Sequence, residues 1–298
     1  MVRYLHAKLG VDDRALNRTV LEAFRQRLSS LTHTPKVLEL GAGLGNMVSR
    51  LADWEILQTA DYTLLDNDAR SLEAAAQHLM DWSAGHPATS RRLDDGTLRV
   101  GRGSTPSSVT FAHADAFEFL GRNATKGSFD VVTANAVLDL MDLKPALESI
   151  WGVLKPGGLF WFSINFDGET IFLPELPLDT SIIELYHRSM DERIRDGRPA
   201  GDSKTGRHLL TQLGTTGAQL EAAGSSDWVV FSKQGQYPGD EAYFLHHIVH
   251  TIDEALSSTP ELEATEFAKW VKERHAQIER GELSYIAHQL DVFGSVPG

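Results

Sequence analysis

Three glycines at alternate positions, preceded by a carboxylate, form the part of this chain best suited to bind a small molecule. The apolar run 37–40 contains Glu39 and is followed by Gly41, Gly43 and Gly45. Glycine adopts backbone angles that other residues resist, and it lets a ligand approach the backbone. A carboxylate at this point would repel a pyrophosphate but accept hydrogen bonds from an ammonium group. The pattern therefore favours a ligand with an amino group over a dinucleotide, and a turn without any ligand is the third interpretation.

Two further carboxylates follow apolar runs later in the chain. Asp66 comes after the run 62–65, and Asp115 comes after the run 109–113. A carboxylate at the end of a second parallel strand can accept hydrogen bonds from both hydroxyls of a ribose. Each position is also suited to the N-cap of a following helix. The two interpretations remain open for Asp115, whereas Asp68 is the better cap candidate beside Asp66.

Parallel strands that alternate with helices must position these residues, because each of them lies where a strand turns into a helix. Apolar runs with strand character predict the strands, and helical spacing of apolar residues predicts the connections between them. This alternation is typical of the α/β class. The predicted strands of the first half are 36–40, 62–65, 109–113, 129–134 and 159–165.

Four further elements are predicted outside these strands. The turn signal at 94–96 predicts a small surface hairpin over about 92–100. The segments 218–221 and 227–231 are predicted to form a sixth strand that is bent at 224–226. One helix is predicted from a cap at Asp12 or Asp13 to about Ser30, and another from Thr259, with Pro260 at its first helical position.

Taken together, these motifs resemble those of class I S-adenosylmethionine (SAM) dependent methyltransferases. The resemblance rests on E-L-G-A-G-L-G at 39–45, on Asp66 and Asp115, and on two later runs. These runs are F-D-V-V-T-A-N-A-V-L-D-L-M-D at 129–142 and L-K-P-G-G-L-F-W-F-S-I-N-F at 154–166. The resemblance implies a Rossmann-like sheet of seven mostly parallel strands with an antiparallel last strand, helices on both faces and helical lid insertions. It also implies SAM as the methyl donor and S-adenosylhomocysteine as the product.

The same resemblance assigns a cofactor-binding site to the ends of the strands. It implies that the glycine turn holds the methionine end of SAM, that Asp66 binds the ribose, and that Asp115 with the next backbone amide binds the adenine. The residues predicted to bind the cofactor are Glu39, Gly41, Ala42, Gly43, Asp66, Asn67, Asp115, Ala116 and Asn135.

We predict a single domain over residues 1–298, with three additions to a SAM-binding core. The core spans 36–166 and is preceded by a helical segment at 1–35. A lid or substrate insertion follows at 167–215, in which 171–178, with its two prolines, is predicted to form a loop over the site. A helical insertion at 237–281 separates the last two strands, which members of the resembled family usually join directly. This departure leaves the substrate class open.

The candidate residues for binding and activating the acceptor lie after the fifth strand. Histidine is the usual general base for a hydroxyl acceptor, and His187 and His208 lie in segments that should border the pocket. A structural or surface role is the alternative for both. We predict that Arg207 binds a carboxylate, and a position at the solvated start of a helix is the alternative. The residues predicted to contact the acceptor are Asn165, Phe166, Tyr186 and Arg207.

The composition excludes several classes of function. The chain contains 28 basic and 41 acidic residues, so its formal net charge of −13 disfavours nucleic acids and anionic membrane surfaces as partners. It contains no cysteine, which excludes disulfides and thiolate chemistry. His246, His250 and Asp253 share one helical face, but the spacing favours a solvated face, and we predict no metal site. The absence of a long apolar run or a signal peptide pattern leads us to expect a cytoplasmic location.

The sequence therefore predicts an enzyme that transfers a methyl group from SAM to a small-molecule acceptor. Methylation of oxygen or nitrogen is favoured. The alternatives are a catalytically silent SAM-binding or regulatory protein and an NAD-dependent oxidoreductase.

Overall fold

A ten-stranded mixed sheet forms the centre of the protein in a computed structural model, which describes residues 2–86, 88–102 and 105–298. The strands of this sheet are β1 (Lys36–Leu40), β2 (Asp61–Asp66), β3 (Thr89–Arg92), β4 (Leu98–Gly101), β5 (Ser107–His113), β6 (Phe129–Asn135), β7 (Leu154–Leu173), β10 (Gln219–Ser225), β11 (Trp228–Val230) and β12 (Ser284–Ser295). A separate hairpin is formed by β8 (Ile194–Arg195) and β9 (Arg198–Pro199).

Helices connect the strands and precede the first of them. They are α1 (Val2–Ala7), α2 (Leu9–Ala15), α3 (Arg18–Ser29), α4 (Asn46–Asp53), α5 (Ala69–Ala84), α6 (Ala116–Leu120), α7 (Leu143–Val153), α8 (Asp179–Asp191), α9 (Thr205–Thr215), α10 (Glu241–Leu256) and α11 (Ala264–Glu279). None of the helices in the described part of the chain is both long and apolar enough to cross a membrane.

The strand order is β10-β12-β7-β6-β1-β2-β5-β4-β3, with β11 also paired to β12. The central strands β7, β6, β1, β2 and β5 are parallel, whereas β12 runs antiparallel between β7 and β10. The chain winds outward in both directions from β1 and β6, and in such sheets ligands bind beyond the carboxyl ends of the strands at this point. The predicted Rossmann-like fold with an antiparallel last strand is confirmed.

Both faces of the sheet are covered by helices because its central strands are apolar on both sides. In β1, Val37 belongs to the core on one face and Leu38 to the core on the other. The first core contains residues of α2–α5, α8, α10 and α11. The second contains residues of α6, α7 and α9. This arrangement fixes β1 rigidly and so fixes the glycine turn that follows it.

The sheet has more strands than predicted because two segments pair differently than expected. The predicted surface hairpin around residues 92–100 continues the sheet, since β4 pairs antiparallel with β5. The predicted sixth strand is divided at Ser226, and both of its parts pair with β12. The backbone N–H of Ser226 donates to Gln289 O at 2.8 Å across this break.

Three predicted boundaries in the added segments are wrong. The segment Ile171–Leu173 is not a loop but the end of β7, where it pairs with Ser284–Ile286 of the long β12. The N-terminal helix predicted from Asp12 is two helices, because Asn17 ends the first and caps α3 through the amides of Thr19 and Val20. The helix predicted from Thr259 begins at Ala264, since the Glu263 carboxylate is the residue that caps it.

Candidate active site

The turn after β1 requires glycine for both conformation and space. Gly41, Gly43 and Gly45 have φ values of +60°, +52° and +65°. Side chains are strained in this left-handed region. A Cβ at Gly41 would lie 2.6 Å from Cγ2 of Val137, and one at Gly45 would lie 2.9 Å from Cδ1 of Leu64. The turn is therefore packed against β2 and against the segment after β6 as closely as its backbone permits.

Asp66 holds this turn in place from the end of β2. Its Oδ2 accepts a hydrogen bond from the Gly43 amide at 2.8 Å, and its Oδ1 accepts one from the Asp68 amide at 2.9 Å. Carboxylate oxygens have further lone pairs, so Asp66 can still accept hydrogen bonds from a ligand. Asp68 in turn caps α5 through the amide of Arg70. Asp68 thus caps the helix, and Asp66 remains available to a ligand.

An outer cavity of about 1380 Å³ extends from the glycine turn along the ends of β2 and β5. Asp115 lies on its wall and also caps α6, since its Oδ1 accepts from the Glu118 amide at 3.1 Å. Arg195 and Arg198 of the β8–β9 hairpin also line this cavity. The predicted cofactor-binding residues on its wall are Gly41, Gly43, Asp66, Asn67, Asp115 and Ala116.

An inner cavity of about 390 Å³ lies on the other side of the glycine turn. Gly41, Gly43 and Ala136 line both cavities, so the two spaces meet at the turn. Phe166 and Tyr186 also line the inner cavity. The predicted cofactor-binding residues on its wall are Glu39, Gly41, Ala42, Gly43 and Asn135. Every residue predicted to bind the cofactor therefore lines one cavity or both.

Glu39 is a buried acid with an unpartnered carboxyl oxygen. The residue is 2% exposed, and its Oε2 has no hydrogen-bond partner among the residues that the structure describes. Burial raises the pKa of Glu39 to about 8, although the positive charge of Arg50 acts in the opposite direction. Burial of an ionised carboxylate without a partner is unfavourable. A cationic donor group at this end of the inner cavity would satisfy it.

A comparison with known protein families decides the assignment. Residues 38–160 match the sequence model of a family described as a methyltransferase domain. Residues 38–160 of the chain carry a methyltransferase domain. The match begins in β1 and ends in β7, so it includes the glycine turn, Asp66, Asp115 and Asn135. The assignment made from these motifs is confirmed.

Solved structures of methyltransferases are similar to this chain at low identity. Phosphoethanolamine N-methyltransferase 2 of Haemonchus contortus, solved with phosphomonomethylethanolamine and S-adenosylhomocysteine, is 15% identical with a TM-score of 0.48. The alignment covers 100% of this chain and 57% of that protein, so this chain spans little more than half of its length.

Two bacterial SAM-dependent methyltransferases, both solved with S-adenosylhomocysteine, are similar over most of both chains. The protein from Thiobacillus denitrificans is 16% identical with a TM-score of 0.47, and the alignment covers 94% of this chain and 92% of that one. The protein from Geobacter sulfurreducens is 17% identical with a TM-score of 0.46, with 96% and 93% covered. No curated protein matches the chain.

The two histidines predicted as general bases of the methyltransferase do not line either cavity. His187 lies behind the wall of the inner cavity, where its Nε2 is 3.0 Å from Thr170 Oγ1 and its ring packs edge-on against Phe166. Burial lowers the pKa of His187. His208 is half exposed, and its Nδ1 is 2.7 Å from Asp202 Oδ2. The structure brings neither imidazole to the site where a methyl group would be transferred.

The four residues predicted to contact the acceptor fall into two pairs. Phe166 and Tyr186 line the inner cavity of the methyltransferase. Asn165 is fully buried, and its Nδ2 donates to Leu290 O at 2.8 Å within the sheet. Arg207 is bound by Asp167, whose Oδ1 lies 2.9 Å from the arginine Nε. Neither Asn165 nor Arg207 lines a cavity, because each side chain already serves the packing of β7 against its neighbours.

Sequence reasoning missed most of the inner cavity wall, which comes from the two ends of the chain. Tyr4, Lys8 and Asp12 of α1 and α2 line it. Their spacing of four residues would place them on one helical face, and this was the available signal. Asp139 follows β6 inside a motif in which only Asn135 was predicted to contact a ligand. Further lining residues from the second half are Trp228, His247, Thr251, Tyr285 and Gln289.

The histidines of α10 do not form a metal site. His246 Nδ1 lies 2.7 Å from His275 Nδ1 of α11, and His250 Nε2 lies 3.3 Å from Glu254 Oε1. Within residues 2–86, 88–102 and 105–298, no group of three or more histidine, cysteine, aspartate or glutamate side chains is arranged to hold a metal ion.

Proposed function

We infer that this enzyme transfers the methyl group of SAM to a small molecule, with SAM in the outer cavity and the acceptor in the inner one. The observation that carries this proposal is the meeting of the two cavities at Gly41, Gly43 and Ala136. Transfer of a methyl group requires the donor and the acceptor to approach each other in line. Two cavities that share a boundary at the glycine turn satisfy that requirement.

The residues of the outer cavity match the parts of SAM in order, from the adenine to the methionine end. Asp115 and the amide of Ala116 are suited to the adenine, and the remaining lone pairs of Asp66 are suited to the ribose hydroxyls. The glycine turn would bring the methionine end towards Glu39, whose unpartnered oxygen matches an ammonium group. SAM, when bound, supplies a methyl group on a positively charged sulfur, which a nucleophile displaces.

The remaining residues orient the reactants and exclude water. Tyr4 and Leu5 of α1 cover the inner cavity at the glycine turn, and Leu5 lines the outer cavity as well. Exclusion of water strengthens the electrostatic interactions inside a site and protects the donor from side reactions. The volume of about 390 Å³ supports an acceptor of small-molecule size.

We retain the predicted division of the chain as part of this proposal. Residues 1–298 act as one domain in which 36–166 binds SAM and 1–35 covers the acceptor. The lid comprises α8, the β8–β9 hairpin and α9 within 167–215. The helical insertion at 237–281 contributes α10 to the wall of the inner cavity. This division is supported by the residues that α1, α2, α8 and α10 supply to that wall.

Isothermal titration with SAM, S-adenosylhomocysteine and NAD tests the donor. We expect the two adenosyl compounds to bind and NAD to remain unbound. Binding of NAD without SAM would overturn the proposal in favour of an oxidoreductase. To separate an enzyme from a silent SAM-binding protein, the chain is incubated with methyl-labelled SAM and a metabolite extract. A labelled small-molecule product is expected, and its absence despite SAM binding would favour the silent protein.

A further inference from the structure

Asp139 lines the inner cavity and has a buried carboxylate oxygen without a partner. It lies in the short turn Leu138–Leu140 after β6, where its backbone oxygen accepts from the Asp202 amide at 3.1 Å. Its Oδ1 is buried and has no hydrogen-bond partner in the part of the chain that the structure describes. A buried carboxylate oxygen without a donor is unfavourable, and such a group in a native structure calls for an explanation.

The cations of the inner cavity do not provide this partner, because other acids bind them. Lys8 Nζ lies 3.0 Å from Asp12 Oδ2, and Arg50 Nε lies 2.6 Å from Asp13 Oδ1. Two acids of the cavity, Glu39 and Asp139, are left with an unpartnered oxygen. The wall of the cavity therefore holds two carboxyl oxygens that lack a hydrogen-bond donor. A cationic ligand with N–H groups supplies what it lacks.

SAM can supply a hydrogen-bond donor to one of these two acids. It carries a single ammonium group, which the proposed function places at Glu39. Glu39 and Asp139 both line the inner cavity and not the outer one, so a single ammonium group placed at Glu39 leaves Asp139 without a cation. A second ammonium group, carried by the acceptor, would satisfy it.

Aromatic rings surround the same space and favour the same kind of ligand. Tyr4, Phe166, Tyr186 and Tyr285 all line the inner cavity. The faces of aromatic rings attract cations, with about 0.5–2 kcal/mol for each well-placed pair. Burial is the main cause that raises the pKa of Tyr4 and of Tyr186, and the negative charge of Asp139 adds to it. The carboxylate and these rings thus lie within electrostatic range of one another.

We propose that the methyl acceptor is a small amine that enters the inner cavity as an ammonium ion and is bound by Asp139 among the rings of Tyr4 and Tyr186. This inference rests on the proposed function, since it assigns the chemical class of the acceptor at the same site. It also replaces His187 and His208 by Asp139 as the group that accepts a proton.

Asp139 accepts one proton from the ammonium ion, which leaves a lone pair on nitrogen. That lone pair attacks the methyl carbon, so that an N–C bond forms while the C–S bond breaks, and the electrons of the broken bond remain on sulfur. The methylated nitrogen leaves with the positive charge, and Asp139 releases its proton to water. Burial raises the pKa of Asp139 to about 6, which makes it a stronger base than an exposed aspartate, although Lys8 and Arg193 act in the opposite direction.

The test compares matched ligands on the enzyme saturated with S-adenosylhomocysteine. Each set consists of an amine, the corresponding alcohol and the corresponding carboxylic acid, for example benzylamine, benzyl alcohol and benzoic acid, in several sizes. Isothermal titration measures their binding, and methyl-labelled SAM measures transfer. We expect the amine of at least one set to bind more tightly than its partners and to be the methylated member. The inference is overturned if no set shows this preference, or if the alcohol or the acid is methylated in place of the amine.

The variants Asp139→Asn and Asp94→Asn separate the role of the carboxylate from effects on folding. Asp94 is exposed in the turn between β3 and β4, remote from the cavities, and serves as the matched control. We expect Asp139→Asn to weaken amine binding by about 10–100-fold, as for a lost hydrogen bond between charged groups. SAM affinity should stay within about twofold in both variants. Unchanged amine binding in Asp139→Asn would overturn the inference and leave the proposed function intact. If the unaltered enzyme does not bind SAM, the proposed function itself is overturned.

Discussion

Arg274 of α11 and Asp179 at the start of α8 form a fully buried ion pair. The Nη2 of Arg274 donates to both carboxylate oxygens of Asp179, and the side chain of Arg274 has no exposed surface. Trp270 Nε1 donates to the same carboxylate at 2.7 Å. Since Tyr186 and Met190 of α8 line the inner cavity, this pair connects the helical insertion to the wall of the acceptor site.

Removal of Arg274 should destabilise the protein strongly. The variant Arg274→Met leaves Asp179 buried and ionised without its cation, so we expect a loss of about 3–5 kcal/mol in the free energy of unfolding. Urea unfolding measures this loss. Lys272→Met, at an exposed position of the same helix, is the control and should stay within about 0.5 kcal/mol. The double variant Arg274→Met with Asp179→Asn should recover part of the loss, and a loss equal to that of the single variant would argue against the ion pair as the cause.

Gly41→Ala should abolish SAM binding through a clash as well as through backbone strain. The added Cβ would meet the side chain of Val137, whereas a Cβ at Gly96, which also has a positive φ, meets nothing within 4 Å. Gly96→Ala is thus a control with strain but without the clash, and it should bind SAM normally. Titration with SAM distinguishes the two. Partial rescue of Gly41→Ala by Val137→Ala is expected, and equal SAM affinity in all of these proteins would contradict the prediction.

Asp66→Ala should weaken SAM binding more than Asp66→Asn does. The asparagine keeps one oxygen that can accept from the Gly43 amide, whereas alanine loses both the turn contact and the ribose contact. We expect about 10–100-fold weaker binding for the alanine variant, as for lost hydrogen bonds to a charged acceptor. Calorimetric titration of both variants measures the order. Asp68→Asn serves as the control for effects on the cap of α5, and an Asp66→Ala variant with normal affinity would limit Asp66 to a structural role.

The stability of the protein without SAM should fall as the pH rises from about 5 to 8, and Glu39→Gln should reduce this fall. Burial raises the pKa of Glu39 from 4.5 to about 8, so the folded state keeps a proton that the unfolded state loses in this range. Because the folded state binds more protons there, the free energy of unfolding decreases with pH, by up to about 4 kcal/mol from this group. The contribution is fully present below pH 4.5 and is lost as the pH approaches 8.

Chemical unfolding at several pH values, with the variant as the reference, measures the contribution of Glu39. The difference in stability between the original protein and Glu39→Gln should become less favourable to the original protein with rising pH. Asp139 and Asp291, with pKa values raised to about 6 by burial, act in the same direction in both proteins and cancel in the difference. A difference that does not change with pH would show that Glu39 is solvated in the folded state.

Local sequence patterns were sufficient to predict the central parallel strands of the sheet. The alternation of apolar runs with helical spacing predicted β1, β2, β5 and β6, and the glycine turn was placed correctly because its glycines follow β1 directly in the sequence. Asp66 and Asp115 could be placed near the carboxyl ends of β2 and β5, whereas their roles in binding the cofactor stay predictions. The end of β7 could not be predicted in this way, since Ile171–Leu173 forms a strand only by pairing with Ser284–Ile286 of β12. The nearby prolines predicted a loop, but pairing with β12, which is distant in the sequence, makes this segment a strand.

The sequence by itself determined the fold class, the glycine turn and the ends of strands at which a cofactor can bind, because these depend on contacts between neighbours along the chain. Only the tertiary structure decided which side chains share the inner cavity. Tyr4 and Lys8 reach it from the first helices and Tyr285 from the last strand, so no local pattern connects them. The pairing of charged side chains also depends on residues that are distant in the sequence. Pairing across the fold decides that Lys8 is neutralised by Asp12 while Asp139 keeps an unpartnered oxygen, and that difference gives the acceptor site its preference for a cation.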